Sequence, residues 1–262
     1  VSGESHIFCG TCYQCRIDQK HVCINEKILG ITYDGCFAQS FKIPATVLWP
    51  TDITKIRPEI AAIQEPFGNA VHACSVVDLR GKSVAVFGCG TIGIFTILIA
   101  KNYGASRIIA LDVSERELQK AKEAGANDCI LLQEQEENPN IEKVDVCFEM
   151  AGPNVSVNNA ISTTRRGGNI VLFGLRNGDF IIKNFDKIIA DGKNLISVIG
   201  REVFKTWYLT KGLLENNHNG IAEKIFHIVL ENGRDTIVSF NEFKSQPFEK
   251  LLIKHPKLLF KF

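Results

Sequence analysis

Two groups of residues in this sequence have types and spacings that can do chemistry. The first is CGTCYQCRIDQKHVC at 9–23, four cysteines spaced C-x2-C-x2-C-x7-C. The second is GCGTIG at 88–93, a GxGxxG pattern directly after the apolar run SVAVF. A thioredoxin-type pair places its first cysteine at a helix N-terminus beside a βαβ unit, and the sequence around the cluster predicts neither. A bacterial ferredoxin-type run ends in C-x3-C-P, whereas seven residues separate Cys15 from Cys23 and Ile24 follows. Tetrahedral zinc held by Cys9, Cys12, Cys15 and Cys23 remains, with His21 as an alternative to one thiolate. Four sulfur ligands leave no open position, so such a zinc staples a loop and does not catalyse.

The glycine pattern predicts a dinucleotide cradle. Gly88 makes the tight turn, Gly90 lets the backbone approach a pyrophosphate, and Gly93 lets the following helix pack closely on the sheet. Gly88, Gly90, Ile92 and Gly93 are the candidate phosphate-end contacts, facing the amides and positive dipole end of a helix. The next strand, RIIALD, ends in Asp112, nineteen residues after Gly93, where an acid binds the adenosine ribose hydroxyls. A carboxylate there repels a 2′-phosphate, so NAD is favoured over NADP. Ser114 and Glu117 predict a capping box, and Arg116 reads equally as an adenine contact or a solvated side chain. Ligands of doubly wound sheets lie beyond the carboxyl ends of the strands. That makes Phe173, Gly174, Leu175, Val198 and Ile199 candidate backbone contacts, with burial the competing reading for each.

The elements that must position these groups follow from periodicity. Between Ser83 and Gly200, β-rich apolar runs alternate with helical patterns: SVAVF and IFTILIAKNYG, RIIALD and ERELQKAKEAG, then DCILL, VDVCFEMAG, NIVLFGL and LISVIG. Such alternation predicts βαβ units and a doubly wound parallel sheet. Residues 1–66 are turn-rich, with GCFAQSFKIP alternating as a half-buried strand does and Pro58 opening a helix. From about Phe204 onward come a helix at WYLTKGLLENN and a closing apolar pattern, and EQEE at 134–137 reads as a solvated loop.

Composition narrows the function classes. Of 262 residues, 30 are basic and 29 acidic, so no electrostatic case exists for a nucleic-acid or anionic-membrane partner. Arg16 and Lys20 alone make no basic stripe on the cysteine lobe. The eighteen uncharged residues from Ser83 to Ala100 match a membrane span in length, but three glycines within six positions argue for strand, turn and helix. Nine cysteines, an odd number with Cys36, Cys74, Cys89, Cys129 and Cys147 scattered, suit a reduced cytoplasmic protein better than a disulfide scaffold. The opening VSGESHIFCG has neither an initiator methionine nor a signal-like core, and reads as a chain already under way with a front segment before it.

A four-cysteine lobe ahead of an NAD-binding βαβ region resembles the zinc-dependent medium-chain alcohol dehydrogenases. The phrases VSGESHIFCGTCYQCR, EPFGNAVHA (65–73), GCGTIG and GREVFKTWY (200–208), with SFNEF and KLLFKF near the end, resemble its threonine dehydrogenase branch. The resemblance implies a Rossmann domain at 67–205 inserted in a GroES-like, mostly-β catalytic domain formed by 1–66 and 206–262. It implies NAD-dependent oxidation of the β-hydroxyl of L-threonine to 2-amino-3-oxobutanoate in a homotetramer, with a catalytic zinc stabilising the alkoxide. The proton-relay acid of the family falls on Glu65. The family's catalytic-zinc ligands, a cysteine in a CGTD-like phrase and a His-Glu pair, have no counterpart here, so this stretch by itself is expected to be inactive. His72 reads as a packed or helix-surface histidine. The arginine that the family places five residues after its ribose acid is replaced by Glu117. Two other functions compete: a polyol or other secondary-alcohol dehydrogenase, and a non-catalytic zinc- and NAD-binding protein.

Overall fold

Five consecutive apolar or small residues, SVAVF, form a strand buried from Val84 onward, because a central parallel strand is covered on both faces. The same logic repeats along residues 73–198, one of two compact units into which the chain divides. The computed structural model describes residues 1–216, 218–242 and 248–262. Phe243 of the SFNEF phrase lies outside the described residues.

The 73–198 unit holds six strands: β1 Ser83–Phe87, β2 Arg107–Asp112, β3 Asp128–Leu131, β4 Val144–Glu149, β5 Thr164–Leu172 and β6 Asn194–Ser197. Their order is β6-β5-β4-β1-β2-β3, and every neighbouring pair is parallel. In β1 and β2, Val84 lies opposite Ile108 and Phe87 opposite Leu111. The order reverses at β1, which leaves a crevice at the carboxyl ends of β1 and β4. Helices α1 Thr91–Asn102, α2 Glu115–Ala124, α3 Asn154–Thr163 and α4 Phe185–Ala190 connect the strands. Phe87, Ile109, Leu111, Cys147, Ile161 and Ile170 are core residues here, each at most 5% exposed. The long uncharged stretch is split by the glycine turn into β1 and α1, and no helix among the described residues is long and apolar enough to cross a membrane.

Residues 1–72 and 199–262 form the other unit. Its strands are short: Ser2–Gly3 pairs antiparallel with Leu48–Trp49, His6–Ile7 antiparallel with Lys27–Ile28, and Ile237–Ser239 parallel with Leu259–Lys261. The second of these pairs closes the base of the loop that carries the four cysteines. Helix Pro58–Ala61 starts with its proline in the first turn, where the missing N–H costs nothing. Helix Gln64–Ser75, which begins in this unit, buries Phe67, Ala70 and Val71, and helix Lys205–Leu214 buries Trp207, Leu213 and Leu214.

One expectation needs correction. The segment 35–44 pairs with no strand among the described residues, and Phe37 and Phe41 stand 66% and 50% exposed. Alternation without a neighbouring ladder or a surface to cover does not make a strand. The compact units divide at 72/73 and 198/199, six and seven residues from the expected bounds of 66/67 and 205/206. The reason is Arg201, whose partners Glu4 and Asn69 bind both flanking segments to the 1–72 side. The EQEE stretch is an exposed loop at Glu134, Gln135 and Glu137, as expected, and it is also anchored: Glu137 pairs with Lys183 and the Glu136 carbonyl accepts from Asn159.

Candidate functional site

In the 73–198 unit the glycine turn has the geometry a dinucleotide cradle needs. Gly88 sits at φ +89°, and a Cβ there would come within 2.8 Å of the Ala151 Cβ. Gly93 is buried, and a side chain on it would run into the Gly88 carbonyl oxygen. Gly90 differs: it is exposed and a Cβ there would meet only open space. It caps α1 with an extended backbone and no side-chain hydrogen bond, so the first-turn amides face outward uncapped by this residue. Ile92 is half-buried in that first turn, and its carbonyl accepts from Thr96 Oγ1 at 2.9 Å.

Asp112 ends β2 beside this turn. Its Oδ2 accepts from the Cys89 amide at 2.6 Å and its Oδ1 from the Ser114 amide at 2.9 Å. The carboxylate therefore locks the glycine turn to the next strand end. A cavity of about 110 Å³ opens next to it, lined by Gly88, Leu111, Asp112, Val113, Ala151 and Pro153. Burial, and then the Asp112 charge, push the Cys89 thiol well up. The capping box is half formed. Ser114 Oγ accepts from the Glu117 amide at 3.4 Å, but the Ser114 amide goes to Asp112, and Glu117 pairs with Arg116 at 2.8 Å. Arg116 thus turns toward its neighbour.

The later strand ends behave unevenly. Phe173 and Gly174 both donate their amides to the Glu149 carbonyl at 3.0 Å, Leu175 is 86% exposed, Val198 is buried and donates to the Leu172 carbonyl, and Ile199 is 45% exposed. Sequence reasoning missed Glu149 itself, which ends β4 with no exposed surface. Its Oε1 accepts from the Ala151 and Gly152 amides and from Ser156 Oγ, while its buried Oε2 has no partner. Burial raises its pKa above the ordinary carboxylate value.

In the other unit the four cysteine sulfurs all lie within 4.8 Å of one another, with Cys12 and Cys23 3.7 Å apart. Thiolates around tetrahedral zinc at about 2.3 Å sit roughly 3.8 Å apart, so the quartet matches that ion's size and donor set. It is the only such group of three or more His, Cys, Asp or Glu ligands among the described residues, and His21 is not part of it. All nine cysteines are free thiols. Cys9 is lowered to about 5, first by the Thr11 amide, while burial pushes Cys15 up to about 12. A one-turn helix, Tyr13–Arg16, starts just after Cys12, which the spacing did not predict. No βαβ unit adjoins it.

Glu65 opens helix Gln64–Ser75. Its Oε1 accepts from Ser5 Oγ at 2.6 Å and pairs with an Arg201 terminal nitrogen at 2.9 Å. Arg201 is 2% exposed, and it is the hub that sequence reasoning missed. It donates through Nε to Glu4 Oε2 at 3.0 Å, through its terminal nitrogens to Glu4 Oε1 and Ser5 Oγ, and to Asn69 Oδ1 at 2.7 Å. Trp207 Nε1 also donates to Glu4 Oε2, at 2.8 Å. Burial, the largest influence, opposes both charges, yet the mutual hydrogen bonds outweigh it: Glu4 is held well below the usual carboxylate range and Arg201 above its own ordinary value. Gly68 makes room, since a Cβ there would lie 2.8 Å from Arg201 Cδ. His72 is buried and bonds the Gly200 carbonyl through Nδ1. Its ring meets His21 edge-on at 5.3 Å. The signal for the hub stood in the phrases VSGESH and GREVFKTWY, but no local pattern says that their ionic residues meet.

A doubly wound sheet with a glycine-cradled helix start, joined in sequence to a four-cysteine lobe, defines a nucleotide-dependent dehydrogenase of zinc-binding type. Comparison with known proteins agrees. Residues 91–215 match the family described as zinc-binding dehydrogenase. L-Threonine 3-dehydrogenases from Bacillus subtilis and Bacillus licheniformis are 36% and 34% identical, each over 87% of this chain and 67% of their own length. Among solved structures, an alcohol dehydrogenase from Escherichia coli CFT073 complexed with NADH superposes with TM-score 0.80 at 21% identity, over 98% of this chain and 74% of its own. A zinc-binding dehydrogenase from Sinorhizobium meliloti bound to NADP gives TM-score 0.76 at 24% identity, over 93% and 71%. The chain belongs to the zinc-dependent medium-chain alcohol dehydrogenase family, with a Rossmann sheet inserted in a GroES-like domain. Within that family it is similar to the threonine dehydrogenases, and it spans about two thirds of their length.

Proposed function

We propose that this chain supplies the nucleotide cradle and the relay acid for NAD-dependent, zinc-assisted oxidation of the β-hydroxyl of L-threonine to 2-amino-3-oxobutanoate. The observation that carries the reading is Asp112, a carboxylate fixed by two backbone amides beside an exposed Gly90 and an open cavity. A fixed acid at that position accepts from ribose hydroxyls and repels a 2′-phosphate, which favours NAD. Gly88, Gly90, Ile92 and Gly93 hold the pyrophosphate, and the backbone at Phe173, Gly174, Leu175, Val198 and Ile199 borders the nicotinamide end. NAD, when bound, supplies the hydride acceptor.

Glu65 takes the hydroxyl proton. Both its contacts, with Ser5 and Arg201, fall on Oε1, which leaves Oε2 to receive a proton while the side chain is held in one orientation. The cysteine quartet, its sulfurs within 4.8 Å of one another, would hold a structural zinc through four sulfur donors. Among the described residues no second group of metal ligands comes together; a catalytic zinc, which the family resemblance implies, would act as a Lewis acid toward the substrate alkoxide. Cytoplasmic location and a homo-oligomeric state accompany this reading as proposals.

The polyol alternative keeps one support: L-idonate 5-dehydrogenase and galactitol-1-phosphate dehydrogenase of Escherichia coli share the fold at TM-scores 0.75 and 0.76. Nucleotide reduction by the full-length protein, measured at 340 nm with L-threonine or sorbitol and with NAD or NADP, decides. Faster turnover with sorbitol overturns the substrate, and faster turnover with NADP overturns the role of Asp112.

A further inference from the structure

A cavity of about 620 Å³ in the 73–198 unit is not the dinucleotide crevice. Lys143 immediately precedes β4, Thr164, Arg165 and Arg166 open β5, and Lys193 immediately precedes β6, so the cavity lies at the amino ends of three strands. Parallel strands put their carboxyl ends on the opposite edge, and the nine residues of β5 span roughly 30 Å. A volume of this size suits a small metabolite.

Its charge is lopsided. Lys143, Arg165, Arg166, Lys183, Lys187 and Lys193 line it, against Glu137 and Asp191, in a chain whose net charge is only +1. Some of these cations have local work. Lys143 and Lys193 donate to the Ser162 and Ile161 carbonyls in the last turn of α3, where cations offset the helix dipole. Arg165 pairs with Asp145 behind the wall at 2.9 Å, and Lys183 with Glu137 at 2.6 Å. The remainder does not balance. Lys193, with a side chain only 6% exposed, and Arg166 share the single carboxylate of Asp191, at 3.4 and 2.8 Å. Lys187 is exposed and meets no carboxylate within 4.0 Å among the described residues. Like charges collected around one cavity, one of them nearly buried, raise the energy of the empty site, and an anion relieves that.

We infer that this cavity binds a small phosphorylated anion, its phosphate held by Arg166, Lys187 and the buried Lys193. A planar guanidinium beside two ammonium groups suits a tetrahedral dianion, which offers oxygens in several directions at once.

Calorimetric titration of the protein with inorganic pyrophosphate tests it, run with and without saturating NAD so that the glycine cradle is filled in one arm. Binding is expected in both arms. Arg166→Ala and Lys187→Ala, both exposed positions, should each weaken it by about tenfold or more, with thermal melting unchanged, and Lys122→Ala should leave it intact. No heat with pyrophosphate overturns the site. So does equal weakening by all three variants, which marks a diffuse charge effect, and tighter binding of citrate overturns the phosphate class. The variants locate the site whether or not NAD binds, so failure of the NAD reading and failure of this one remain separate results.

Discussion

Replacing Glu4 with glutamine should cost the 1–72/199–262 unit about 4 kcal/mol, because the site is built for an acceptor-only group. Glu4 has no exposed surface. Its Oε1 receives the His6 amide and an Arg201 terminal nitrogen, and its Oε2 receives Arg201 Nε and Trp207 Nε1. Whichever way a glutamine amide is turned, its NH2 faces two donors. Arg201, 2% exposed, is left with Glu65 as its remaining carboxylate partner, on a side chain 29% exposed. Breaking a buried pair from one side typically costs about 3–5 kcal/mol, most of it the stranded charge.

Trp49 and Trp207 are the only tryptophans in the sequence and both belong to this unit, so intrinsic fluorescence in urea reports on it selectively. With a slope of about 2 kcal/mol/M, the midpoint should fall by about 2 M. The double variant Glu4→Gln/Arg201→Met carries no buried charge and should recover most of the loss. The pH dependence has a definite sign. The folded-state pKa of Glu4 is depressed, so its contribution is complete above the ordinary carboxylate pKa of about 4.3 and drains away as pH falls toward the folded value. Glu4→Gln should remove that acid-labile component. A midpoint shift worth less than about 1 kcal/mol, or a double variant no more stable than the single one, would refute the account.

Other perturbations test separate parts of the structure. Asp112→Asn should weaken NAD binding by about ten- to a hundredfold and narrow the preference over NADP, read by calorimetry, since a charged acceptor becomes neutral. Cys15→Ser should lower zinc content, measured by mass spectrometry of the metal, from about one per chain toward zero and reduce the urea midpoint of the tryptophan-bearing unit. Glu149 has a raised folded pKa, so the folded state holds its proton more tightly and stability declines as pH rises from the ordinary carboxylate range through the folded value. Glu149→Gln keeps an acceptor for the Ala151, Gly152 and Ser156 donors and should gain stability relative to the parent at pH 8 compared with pH 5, read by hydrogen exchange in Val144–Glu149; an equal difference at both pH values contradicts this.

What the sequence disclosed and what it hid divide along the range of the interactions. SVAVF, RIIALD and VDVCFE each span a strand of the structure, and GCGTIG marks its turn, because burial on both faces and a positive φ at Gly88 are recorded within a few consecutive residues. The cysteine quartet is nearly as local, its four side chains lying between two short paired strands that close their own loop. Arg201 shows the opposite case. It meets Glu4 across 197 positions of sequence, and nothing in GREVF distinguishes a buried hub from a surface arginine. Resemblance alone singles out Glu65, and what fixes its carboxylate, Ser5 sixty positions away and Arg201 on the far side of the inserted sheet in sequence, comes only from the folded chain. The segment at 35–44 fails in the complementary way: its alternation is local and real, but a strand is defined by its partner, and the described structure supplies none. A motif that answers to its own backbone can therefore be read directly, whereas the side chains that orient the Glu65 carboxylate come from both ends of the chain.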